Sequence, residues 1–150
     1  MKELRGHAIG VLAVPVEACF ALLAAVDRYP AWLDVVREVE VLERGPDGRP
    51  VRVGAQLHVA QSPVMKDFSL VVAAESEPYA AARLVRLPKD SGDRDQLTLS
   101  WSLKGNGETR LELEFYAAVS FLPRVLPLGG VGDLIARTVL EAATAALTGF

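Results

Sequence analysis

One stretch of the chain restricts its fold more than any other. Leu97, Leu99, Trp101 and Leu103 alternate with the small polar residues Thr98, Ser100 and Ser102. After KGNGE a second set, Leu111, Leu113, Phe115 and Ala117, alternates with Arg110, Glu112 and Glu114. Successive strand side chains point to opposite faces, so each run predicts a strand with one apolar and one polar side. Asn106–Gly107 between them tolerates left-handed backbone angles and predicts a tight antiparallel hairpin. A hairpin face this apolar must be covered by another layer.

More strands precede it. After the turn ERGPDGRP, Val51, Val53, Ala55, Leu57 and Val59 alternate with Arg52, Gly54, Gln56, His58 and Ala60, and Phe68, Leu70 and Val72 repeat the pattern. Val35 to Leu42 sets Val39 and Val41 against Glu38 and Glu40, and Leu4 to Val14 reads as a strand ended by Pro15. Tyr79 to Leu87 reads as a further strand, on which Arg83 shares a side with Tyr79, Val85 and Leu87, before KDSGDRD interrupts the chain. Pro15 and Glu17 open a helix with Val16, Phe20 and Leu23 on one face and Cys19 on that face or at its edge. Pro30, with Trp32 and Leu33, opens a second short helix.

From Val131 onward, Asp133, Arg137, Glu141, Thr144 and Thr148 form the polar stripe of a long helix, opposite Val131, Ile135, Val139, Ala142 and Ala146. The predicted fold is α+β: a curved antiparallel sheet of about seven strands around a long C-terminal helix, with two short helices after the first strand. A chain of 150 residues, 51% apolar and 23% charged, suits one domain over residues 1–150. With 16 basic and 19 acidic residues, a net charge of -3 and no basic run, no nucleic-acid partner is expected. Asp133, Arg137 and Glu141 interrupt the last apolar stretch, so stable membrane insertion is not expected either. MKELRGHAIG has no secretory apolar core and the single cysteine, Cys19, makes no internal disulfide; the expected location is cytoplasmic.

The segment VPVEACFALLAAVDRYPAWLDVVREVEVLE resembles the amino-terminal signature of START-like, polyketide cyclase/dehydrase-type proteins (the SRPBCC, helix-grip superfamily), including its coenzyme-Q-binding branch. Val14–Pro15, Glu17, Phe20, Asp27, Tyr29–Pro30 and Trp32 carry the resemblance, which extends over almost the whole chain. It implies a helix-grip domain around an elongated apolar cavity, in a family of lipid and isoprenoid carriers, hormone receptors and aromatic polyketide cyclases. The expected partner is a hydrophobic small molecule held inside. The alternatives are a polyketide aromatase/cyclase working without a redox cofactor, and a ligand-free interaction domain.

The expected site lies between the final helix and the concave sheet face. Alternation nominates Phe68, Leu70, Leu99, Trp101, Leu113 and Phe115 for the sheet wall, and Ile135, Val139 and Ala142 for the helix side. Each is equally at home in an ordinary core. Arg83 is nominated as a polar anchor for a carboxylate, phenolate or quinone oxygen. The breaks at Ser62–Pro63–Val64–Met65 and Phe121–Leu122–Pro123–Arg124 are candidate rims, compatible with transient membrane contact. No catalytic, cofactor-binding or metal-ligating residue is nominated. His7 and His58 lie far apart, His58 is read as outward, and Cys19 has no basic neighbour in sequence. Glu38/Glu40 and Glu112/Glu114 are read as solubilising pairs. LGGVGD lacks the phosphate-loop lysine, so its glycines are read as shaping a turn that brings the last helix close to the sheet.

Overall fold

The computed structural model describes residues 1–61, 64–120 and 129–149. In chain order the elements are β1 (Lys2–Leu12), α1 (Val16–Ala24), a 3-10 turn (Val26–Ala31), β2 (Val36–Arg44), β3 (Pro50–Gln61), β4 (Val64–Glu77), β5 (Ala81–Arg86), β6 (Gln96–Asn106), β7 (Glu108–Val119) and α2 (Val131–Thr148). The α+β helix-grip architecture read from the sequence is the one observed. The strands form one seven-stranded antiparallel sheet in the order β1-β7-β6-β5-β4-β3-β2. Its two edges are the first two strands of the chain. The connection between them therefore has to cross a whole face of the sheet, and α1 with the 3-10 turn is that crossing.

The hairpin that anchors the sequence reading pairs Leu99 with Phe115, Trp101 with Leu113 and Leu103 with Leu111. Gly107 turns it in a left-handed conformation, with φ 65°. β1 then adds to β7, placing Gly6 beside Phe115 and Ala8 beside Leu113. At the far edge, β2 shifts register against β3 after Val36, Val41 and Glu43. Such bulges bend and twist a strand.

α1 starts where Pro15 fixes φ at -60°, and Pro15 O accepts the N–H groups of Ala18 and Cys19 at 3.1 and 3.2 Å. It buries Val16, Cys19, Phe20, Leu23 and Ala24. Thr109, fully buried on β7, ties down the entry to α1 by donating its hydroxyl to Val14 O at 2.7 Å. The short second helix differs from the expected one: it is a 3-10 turn that begins at Val26 and carries Pro30 near its end. Tyr29 points inward there and donates its hydroxyl to Leu23 O at 2.7 Å, closing the end of α1.

α2 buries Gly132, Ala136, Val139, Leu140 and Ala143. The buried stripe is thus rotated from the expected one, and Ala146 is exposed. The reason is the seat. Gly132 meets the backbone of β1 so closely that a Cβ there would lie 1.9 Å from Arg5 O, and a Cβ on Gly6 would lie 1.9 Å from Gly132 O. This close approach fulfils the expectation for the LGGVGD glycines and presses Gly132, Ala136 and Leu140 against β1. Among the described residues no helix is long and apolar enough to cross a membrane.

Candidate functional site

Cross-strand registers assign the concave face. Its rows include Ala82, Trp101, Leu113 and Ala8; Ala74, Leu84, Leu99, Phe115 and Gly6; Val53, Val72 and Arg86; and, on β3 and β4, Ala55 with Leu70 and Leu57 with Phe68. Burial divides this face into two zones. Toward the turns that α1 covers, Trp101, Leu103, Leu111 and Leu113 are buried. Toward the β3–β4 hairpin, Leu57, Phe68, Leu70, Leu84, Leu97 and Leu99 are only half-buried. α2 explains the difference, because its close backbone approach is to β1 and, less, to β7. The half-buried apolar zone is the candidate site.

The structure brings most of the expected wall residues to this face. Phe68, Leu70 and Leu99 sit in the half-buried zone, and Phe115, 9% exposed, borders it. Trp101, 1% exposed, and Leu113, 0% exposed, lie deeper. The Trp101 indole N–H approaches the Tyr29 oxygen without reaching full hydrogen-bond geometry. Burial pushes the Tyr29 phenol well above its ordinary range against that pull, so it stays protonated. On α2, Leu140 packs at the β1 side, where a Cβ on Gly10 would lie 3.4 Å from it. Helical spacing then turns the flank carrying Ile135, Val139 and Ala142 toward the middle of the sheet, with Ile135 and Ala142 half-buried.

Arg83 does not join them. It pairs with Glu75 and Ser100 across the sheet and is exposed on the convex face. The side it was expected to share with Tyr79 is not a strand side at that point, because Tyr79 occupies a turn with φ 64° and β5 starts at Ala81. The concave positions of β5 are Ala82, Leu84 and Arg86. Arg86 is thus the inward guanidinium, and alternation with Ala82 and Leu84 was the signal that pointed to it.

The Arg86 side chain is 12% exposed and its Asp93 partner 13%. NH1 donates to Asp93 Oδ1 at 3.2 Å and to Asp95 O at 2.8 Å, and NH2 donates to Asp93 Oδ2 at 2.7 Å. The same carboxylate accepts the backbone N–H groups of Lys89 at 2.9 Å and Asp95 at 3.1 Å. Asp95 in turn accepts the N–H of Ser120 at 3.0 Å, which fastens the β5–β6 loop to the end of β7. The Arg86 hydrogen bonds, helped by the Lys89 N–H, hold the Asp93 carboxyl far below the usual carboxylate range. A depressed carboxylate stabilises the fold above its ordinary pKa, and that stability is lost as pH falls through the depressed value. Asp93→Asn should therefore melt below the parent at neutral pH, with the gap narrowing only below about pH 4. Thermal melts of both chains from pH 7 to pH 2 check this, and a gap that closes by pH 5 would refute it.

Other polar groups gather on the convex face. Strand pairing sets His7 beside Glu114, and Nε2 of His7 lies 2.6 Å from Glu112 Oε2. The ligand atoms of His7, Glu112 and Glu114 lie within 4.8 Å of one another, a spacing able to hold a metal ion. Linear distance along the chain hid this cluster. His58 lies outward as expected, with Nδ1 2.5 Å from Oδ1 of its cross-strand partner Asp67. Cys19 is fully buried, and burial raises its thiol pKa against the pull of Thr109, which keeps it a weak nucleophile. An open cleft of about 700 Å³, lined by residues including Asp47, Arg49, Arg52, Ala74 and Glu75, lies beside the β2–β3 turn. Of the expected rims, Met65 is 70% exposed, whereas Ser62, Pro63 and Phe121–Leu122–Pro123–Arg124 lie outside the described residues.

Residues 12–144 match the family described as polyketide cyclase / dehydrase and lipid transport. The chain belongs to this family. No curated protein matches it. Among solved structures, a START superfamily protein from Mycobacterium smegmatis superposes with a TM-score of 0.76 at 15% identity, covering 97% of this chain and 98% of that one. The Zhui aromatase/cyclase from Streptomyces sp. R1128 gives a TM-score of 0.61 at 16% identity over 98% of this chain and 92% of that one. The di-domain aromatase/cyclase StfQ of the steffimycin biosynthetic pathway gives 0.68 at 16% identity over 99% of this chain and 52% of that one. At these identities the structures share the fold of this polyketide cyclase/dehydrase family member, which is the helix-grip fold of START-like proteins.

Proposed function

We propose that this protein encloses a hydrophobic small molecule between α2 and the concave face of β3 to β6. The observation that carries the reading is the half-burial of Leu57, Phe68, Leu70, Leu84 and Leu99 on one contiguous inward face. Apolar surface left part-wet inside a fold gains about 25 cal/mol per Å² when a ligand covers it. Phe115, Ile135, Val139 and Ala142 complete the wall, with Trp101 and Leu113 at its base.

Of the finer readings, we favour an aromatic polyketide precursor as the ligand and ring closure as the reaction. Support comes from the family description and from two relatives of the same fold named as aromatase/cyclases. The wall would act by holding an extended chain folded, so that reacting carbons meet as in an intramolecular reaction. Carriage of a lipid or isoprenoid is the second reading. It is favoured by the inward polar groups: the Tyr29 hydroxyl is engaged by Leu23 O, and Asp93 is held ionised by Arg86, so neither is suited to proton transfer near neutral pH.

Native mass spectrometry of the purified protein, followed by titration with apolar dyes, tests the enclosure. Leu70→Trp and Leu99→Trp fill the proposed space and should each lower affinity at least about tenfold, or about 1.4 kcal/mol, while circular dichroism stays unchanged. Undiminished binding in both folded variants would move the ligand elsewhere. Conversion of a poly-β-ketone analogue separates cyclase from carrier.

A further inference from the structure

We propose that Asp93 sets the charge selectivity of the apolar groove, making it favour uncharged, oxygen-bearing ligands over carboxylates of the same hydrocarbon length. This rests on the enclosure reading above. The half-buried zone of the concave face is lined by leucines, Phe68 and Phe115, and among its described residues Arg86 is the charged one in the body of the zone, while half-buried Lys2 shares the face at the start of β1. Lys66 shares the face but is exposed at the hairpin end, with its ammonium 5.5 Å from the Phe68 ring.

An inward guanidinium would ordinarily recruit an anion. Here its charge is already matched by the two-oxygen pairing with Asp93. Asp93 is not free to swing aside, because the Lys89 and Asp95 N–H groups hold the same carboxylate from behind. Because the two lysines stand at the ends of the face, a ligand carboxylate within the zone would have to displace this pairing or lie against apolar wall, and both are unfavourable. A neutral ketone, quinone or alcohol oxygen meets neither obstacle. The bonds to Asp93 and Asp95 engage three of the five guanidinium N–H groups. The remaining donors, on Nε and NH2, suit a neutral oxygen acceptor.

The test uses a neutral dye, N-phenyl-1-naphthylamine, displaced at pH 8 by either dodecanol or dodecanoate. The parent protein should bind the alcohol at least about tenfold more tightly than the acid, and Asp93→Asn, which leaves the Arg86 charge unmatched, should bring the ratio to one or reverse it. The double variant Arg86→Met/Asp93→Asn removes both charges and should keep the parent's preference. Equal displacement by alcohol and acid in the parent overturns the inference while the enclosure stands. A ratio unchanged in folded Asp93→Asn also overturns it. Absence of dye uptake by the parent overturns the enclosure itself, and the inference with it. Should Asp93→Asn fail to fold, the ratios of the parent and the double variant decide, since an acid preference in either contradicts the proposal.

Discussion

Gly6→Ala is expected to destabilise this protein by roughly 3 kcal/mol or more, although the change adds one methyl group. The methyl carbon would lie 1.9 Å from Gly132 O and 2.4 Å from its carbonyl carbon. Those are backbone atoms of the first turn of α2, and no rotamer change moves them away. The helix must lift or β1 must shift. Lifting the helix pulls Ala136, Val139 and Leu140 off the sheet and stretches the bond from the His7 N–H to Asp133 Oδ1, now 3.0 Å. Gly132→Ala meets the reciprocal obstacle, 1.9 Å from Arg5 O, and should cost a similar amount. For a chain of this size the expected fall in Tm is about 10 °C. Urea unfolding followed by circular dichroism checks it, with Gly129→Ala, whose added carbon meets nothing within 4 Å, as the control expected to stay within about 0.5 kcal/mol. A Gly6→Ala midpoint equal to the control's would mean that α2 is not seated backbone-to-backbone on β1.

That seat shows where sequence reading stops. The glycines of LGGVGD could be read as allowing a close approach, since they stand at the start of an amphipathic helix. That Gly6 is the surface approached depends on a contact with residues about as far away along the chain as it allows, and no local pattern encodes it. The same division holds elsewhere. Leu97 to Leu103 and Leu111 to Ala117 declared their inward faces because alternation is a local property of strands. Alanine is compatible with either face of a helix, so spacing alone groups Ala146 with the apolar stripe, whereas the buried stripe runs through Ala143. Arg83 gains its inward reading from sharing a side with Tyr79, and only the left-handed φ of Tyr79 shows that this residue belongs to the preceding turn. The His7, Glu112 and Glu114 cluster exists through the pairing of the first strand with the last. For the site, the apolar wall was legible as a face, whereas its division into packed and half-buried zones follows from where α2 comes to rest.

Trp101→Ala is expected to cost about 3–5 kcal/mol, a large share of the roughly 5–15 kcal/mol that holds a typical domain folded. Trp101 is among the largest fully buried side chains, flanked across the sheet by Ala82 and Leu113, with the Tyr29 phenol near its indole N–H. With a small neighbour on one side and the sheet behind, the surroundings cannot collapse into the space it leaves. Trp101→Phe is the informative companion. It keeps most of the volume and removes an indole N–H that has no hydrogen-bond partner among the described residues, so no bond is lost and the cost should stay below about 1.5 kcal/mol. Chemical unfolding of both variants checks the pair, and a small cost for the alanine change would place Trp101 in the ligand space instead of the packed zone. The contrast with Leu99→Trp then separates the two roles of one inward face. Two residues apart on the same strand, Trp101 should lose stability when emptied, whereas Leu99 should lose ligand when filled. Reversed behaviour would put the boundary between core and groove on the other side of this strand segment and shift the proposed ligand toward α1.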